Sequence, residues 1–203
     1  MAERRQHHIL EAFLEGSEAA IDLATDNEAI KAVPVIGTAL RVLQGIDDIR
    51  SRAFAAKLRR FIDSPELRTG KARAKLKNGI ASSSENAEKI GETLFLVLER
   101  MTDLEKPALL AKVFAAYLDG VIDSAQLRRA AHAMDSAFTD DLLALSRWDA
   151  SINPSCAAEW MMPLAAAGIT HTVAGRTYDD QGTIYYHLTD LGKALHEALQ
   201  HQA

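Results

Sequence analysis

The chain has a single cysteine, Cys156, in 203 residues, so no disulfide framework can hold it together from within. Only five prolines and 6% aromatic residues are present. No stretch approaches the roughly 18–20 uncharged apolar residues that a membrane-spanning helix needs. The nearest is the nine-residue run AVPVIGTAL over 32–40, bounded by Lys31 and Arg41. The opening residues predict no signal peptide, because Glu11, Glu15 and Glu18 interrupt any apolar core. The expected location is the cytoplasm, with Cys156 reduced. Catalytic signatures are missing as well. There is no Gly-rich phosphate loop, no Gly-x-Ser-x-Gly elbow and no His-Glu-x-x-His. A lone cysteine without a charged neighbour reads as a small buried hydrophobe rather than a nucleophile. No cofactor and no metal is expected, and an enzyme with an unrecognised site remains only an alternative.

What is present is ordinary globular material: 48% hydrophobic and 25% charged residues, with a formal net charge of −5. The periodicity is helical along most of the chain. An amphipathic helix is expected over 3–24 and a second from about Asn27, broken at Pro34. Helical spacing resumes over 35–62. Asp63-Ser64-Pro65 reads as stop and restart, with Ser64 as cap and Pro65 in the first turn, ahead of a basic, weakly apolar helix over 66–79 or one that frays. Ser82-x-x-Glu85, Thr102-x-x-Glu105 and Asp123-x-x-Gln126 fit capping boxes. They predict helices to about Met101, to Leu118 (stopped by Gly120) and to Phe138. The run Leu94-Phe95-Leu96-Val97-Leu98 marks the first of these as the helix buried on every face. Thr139 is expected to cap a short helix ending near Trp148. Asn153-Pro154 would open another through Ala167, kinked at Pro163 and closed by Gly168. Alternation over 169–174 and 183–188, separated by a turn-rich loop, predicts a β-hairpin, and Thr189 starts a last helix. The expected fold is mainly α, a multi-helix body over 1–135 with a smaller helix–hairpin–helix unit over 136–203.

Leu188, Thr189, Gly192 and Leu195 follow a hairpin as Leu-Thr-x-x-Gly-x-x-Leu. With the two helices before it, this tail resembles the end of winged-helix domains. The resemblance implies a winged-helix-like unit and a regulatory or binding role. It does not extend to DNA readout. There is no Lys or Arg between Arg147 and Arg176, and Asp179 and Asp180 stand beside Arg176 in the loop. Neutralising several phosphates needs cations this surface lacks. Trp160, Met161 and Leu164 read as the core of the unit. The chain as a whole resembles bacterial proteins with a helical body and such a tail, through Pro34-Val-Ile-Gly37, residues 55–61 and residues 109–120; no defined activity is implied.

Charge is uneven. Residues 41–78 carry eleven Lys/Arg and four Asp/Glu, net +7, leaving −12 on the other 165 residues. Arg59, Arg60, Lys71, Arg73, Lys75 and Lys77 are the candidate anion-binding residues, for nucleic acid or an anionic membrane surface. A solvated face that offsets the acidic surface is the competing reading. No aromatic side chain lies over 68–77 to stack on bases. Pro34-Val-Ile-Gly37 reads as core, with shallow membrane insertion as the alternative. Asp119-Gly-Val-Ile-Asp123 imitates part of an EF-hand, but Ala115 and Tyr117 occupy the first ligand positions, so a helix–turn–helix connection is expected. His171 and His187 should face one another across the hairpin, fewer ligands than zinc requires. The favoured function is a non-catalytic binding or regulatory protein acting through protein contacts, self-association included.

Overall fold

The computed structural model describes residues 49–69, 84–149, 157–174 and 184–201. Over these the chain is mainly helical with one β-hairpin near its C-terminus. The helices are α1 (Ile49–Ile62), α2 (Pro65–Arg68), α3 (Ser84–Arg100), α4 (Lys106–Leu118), α5 (Ser124–Ser136), α6 (Thr139–Arg147), α7 (Met161–Ala166) and α8 (Asp190–Gln200). Strands β1 (Thr170–Ala174) and β2 (Ile184–Leu188) lie between α7 and α8 and pair antiparallel. The chain divides into two compact units, Met1–Ala111 and Lys112–Ala203. None of the described helices is long and apolar enough to cross a membrane.

In the first unit α1 packs against α3. Phe54, Leu58, Phe61 and Ile62 of α1 are buried, as are Ile90, Leu94, Val97 and Leu98 of α3. Both sets follow one stripe of a 3.6-residue period. The rings of Phe54 and Phe95 meet at 5.0 Å. The five-residue apolar run in α3 is therefore not buried all round, since Leu96 is 44% exposed and Phe95 half-buried. The helix with apolar residues buried on every face is α4, where Leu109, Leu110, Ala111, Val113, Phe114, Ala115 and Ala116 are all covered. In sequence the α3 run stands out because its five bulky apolar residues are consecutive, whereas Lys112 interrupts the run in α4.

Two expected caps differ here. The Ser64 side chain donates to the Glu66 carboxylate instead of capping α2, and the Ser64 carbonyl accepts from Leu67 and Arg68 N–H at 3.1 and 3.2 Å. α4 begins at Lys106 with Pro107 in its first turn, and the turn ahead of it is closed by the Asp103 carboxylate accepting from Glu105 N–H at 2.8 Å, not by Thr102. Ser82 lies outside the described residues.

The C-terminal end of α3 is finished from another helix. Lys57 of α1 is buried, and its ammonium donates to the Glu99 carbonyl at 2.6 Å and the Met101 carbonyl at 2.9 Å. Carbonyls at a helix C-terminus lack intrahelical donors and carry partial negative charge, so a cation there satisfies both needs. Replacing Lys57 with Met keeps the stem and removes the donor. Urea unfolding of Lys57→Met should show a loss of about 1–3 kcal/mol, against less than about 0.5 kcal/mol for Arg59→Met.

The second unit is organised around α8, which packs against α5, α6 and β2, while α7 packs against β1 and α6. The buried side chains include Leu127, Met134, Leu142, Leu145, Met161, Leu164, Ile169, Tyr186, Leu195 and Leu199. Asp123 and Gln126 form the expected reciprocal capping box at the start of α5. α5 stops at Ser136, so Phe138 is not helical but stands at the N-cap of α6, and Thr139 is the first helical residue rather than the cap. α4 and α7 end on Gly120 and Gly168, at φ 79° and 73°, with the paired backbone bonds that close a helix through a left-handed residue. Within the described residues α7 is six long and starts at Met161, well after Asn153-Pro154. Pro163 falls in its first turn, where no N–H is required.

The junction of β1, β2 and α8 explains the Leu-Thr-x-x-Gly-x-x-Leu spacing. Thr189 N–H donates to the Ile169 carbonyl at 3.0 Å, its hydroxyl donates to the Gly168 carbonyl at 2.7 Å, and the same oxygen accepts from Gly192 N–H at 3.0 Å. One residue caps α8 and ties it to the turn before β1. Gly192 lies against that turn so closely that a Cβ would overlap the Ile169 carbonyl. Gly192→Ala should therefore cost about 2–3 kcal/mol in urea unfolding despite its better helix propensity, and Thr189→Val about 1 kcal/mol. A neutral Gly192→Ala would contradict the close approach.

Candidate functional site

Among the candidate anion-binding residues, Arg59 and Arg60 fall in the last turn of α1. Arg59 Nε lies 3.3 Å from Asp63, which Arg68 also contacts at 2.9 Å. Arg60 Nη1 donates to the Leu104 carbonyl at 3.1 Å. Lys71, Arg73, Lys75 and Lys77 lie outside the described residues, as do Pro34-Val-Ile-Gly37, the 3–24 segment, Cys156 and the hairpin loop with Arg176, Asp179 and Asp180.

The EF-hand-like segment is the α4–α5 connection. Both of its carboxylates are engaged: Asp123 in the capping box, and Asp119 with His201 Nε2 at 2.7 Å. The remaining described histidines of the tail lie in two places, one on α8 and two on the hairpin. His196 Nε2 lies 2.7 Å from the Trp148 carbonyl, which also accepts from Gln200 at 3.0 Å. His171 and His187 occupy directly opposed positions of the hairpin, with ring centres 5.8 Å apart. Among the described residues, no three His, Cys, Asp or Glu side chains converge as metal ligands.

The second unit presents features that sequence reading missed. Met161 and Leu164 are core, as expected, but Trp160 is half-buried and meets Trp148 edge-on at 6.1 Å. Trp148 contacts His196 in the same manner at 5.9 Å. Among the described residues of this unit, the exposed large apolar side chains are Phe138, Met162 and Ile184, at 68%, 62% and 55%. Phe138 breaks a local rule twice. An N-cap position favours Ser, Thr, Asp or Asn, and a phenyl ring favours burial; here the N-cap is an exposed Phe without a capping side chain. The sequence signal is Ser136-Ala-Phe138-Thr-Asp140, in which a helix ending at Ser136 leaves Phe138 at the boundary of the next.

Asp140 and Asp141 occupy the first turn of α6. Asp141 is half-buried, and its Oδ2 has no hydrogen-bond partner. Burial, followed by the charge of neighbouring Asp140, raises its pKa above the ordinary carboxylate value. A carboxyl group whose folded pKa is raised stabilises the fold below the unfolded value and loses that contribution as pH rises through the folded one. Asp141→Asn removes the ionised form. It should be more stable than the parent at pH 7, with the difference closing as pH falls to about 4, read by thermal unfolding across pH. No protein-family model, curated protein or solved structure matches the chain.

Proposed function

We propose that this is a non-catalytic, cytoplasmic binding protein that works through protein–protein contacts, self-association among them, and that its winged-helix-like C-terminal unit is a contact module rather than a reader of DNA. The observation that carries the reading is Phe138. A large ring exposed at an N-cap serves neither the core nor the helix, and residues that violate local rules without structural return concentrate at functional surfaces. Met162 of α7 and Ile184 of β2 add exposed apolar area on the same unit. The tail carries no Lys or Arg from Trp148 to Gly175, which removes the phosphate contacts a DNA module requires.

Light scattering on the intact chain tests self-association. The double substitution Phe138→Asp and Met162→Glu suits the purpose, because Asp is a favoured N-cap and both positions are exposed. The expected result is a mass above that of one chain for the parent and a single-chain mass for the variant. A parent that is monomeric at every concentration, with no mass change in the variant, would overturn the self-associating form.

A further inference from the structure

The geometry points to a metal-chelating pair on the hairpin: His171 and His187 together hold one borderline divalent ion, of the Zn2+, Ni2+ or Cu2+ class, with solvent completing its coordination. Residues directly opposed across an antiparallel pair project from the same face. His171 opposes His187, and Val173 opposes Tyr185 on that face, while Thr170, Tyr186 and Leu188 turn the other face into the core. The two imidazoles are thus outward, with His171 exposed and His187 half-buried.

The distance between them fits a shared ion. With metal–nitrogen bonds of about 2.1 Å, a ligated ion lies about 3.2 Å from each ring centre, so two ligating rings stand at most about 6.4 Å apart and about 5.2 Å apart at a tetrahedral angle. The observed 5.8 Å lies inside that range. Imidazole nitrogen suits Zn2+, Cu2+ and Ni2+ and not Ca2+ or Mg2+. Neither described strand places a carboxylate on this face, so the two rings are the strands' own share of the ligands. An ion bridging β1 to β2 binds only the correctly registered hairpin, so binding stabilises the fold.

Zinc titration of the full-length chain tests the assignment. The parent should carry His7→Ala, His8→Ala and Cys156→Ser, because the adjacent histidines and the thiol offer competing ligands elsewhere in the sequence. Calorimetry should then show one Zn2+ per chain. Imidazole nitrogen resonances of both His171 and His187 should shift in the same titration. His171→Ala, at an exposed strand position, should keep the fold and weaken binding tenfold or more, and His187→Gln should do the same. Binding of equal strength in His171→Ala, or a titration that moves only one of the two rings, would overturn the pair as a site.

Discussion

The second unit depends on a backbone-to-backbone contact: the first turn of α8 lies against the turn that leads into β1. Glycine at 192 permits the approach and Thr189 fastens it, through its own N–H and hydroxyl, to Ile169 and Gly168. Everything downstream follows from that seating. Leu195 and Leu199 reach the core beside α5 and α6, His201 reaches Asp119 at the end of α4, and His196 and Gln200 both reach the carbonyl of Trp148. The hairpin hangs from the same point, because Leu188 runs directly into Thr189 while Ile169 runs directly into β1.

The charge pattern takes on a different meaning once partners are assigned. The +7 over residues 41–78 looks in sequence like a patch awaiting an anion. Among the described residues four of its cations have local partners: Lys57 finishes α3, Arg60 donates to the Leu104 carbonyl, and Arg59 and Arg68 share Asp63. Helix termini and loop carbonyls are themselves weak anionic sites, and a chain can use its basic residues on them.

Much of the architecture was legible because its signals are local. Gly120 and Gly168 end helices, Asp123 with Gln126 starts one, and alternation around a turn-rich loop makes a hairpin whose register pairs His171 with His187. The errors were local too. Ser64, Thr102 and Thr139 each have the composition of a cap, but Glu66, Asp103 and an early end to α5 changed which groups met. Burial was misjudged for α3 against α4, since only packing decides whether alanines or leucines lie inside. The exposed Phe138 escaped notice for the same reason, as an apolar residue near a helix end reads as core by default. Gly192 is the instructive case. Its position in a familiar spacing was evident, but the reason for it, an oxygen from a residue 23 positions earlier, exists only in three dimensions.

Amide hydrogen exchange under native conditions addresses that seating most directly. If the α8–β1 contact organises the unit, the amides of Thr189 and Gly192, each bonded in the junction, should exchange only through global unfolding of the unit, in the slowest class with the core of α8. Exchange of Thr189 and Gly192 by local opening, orders of magnitude faster than the amides of Leu195 and Leu199, would show that the helix holds its place without the clamp and would contradict the claim.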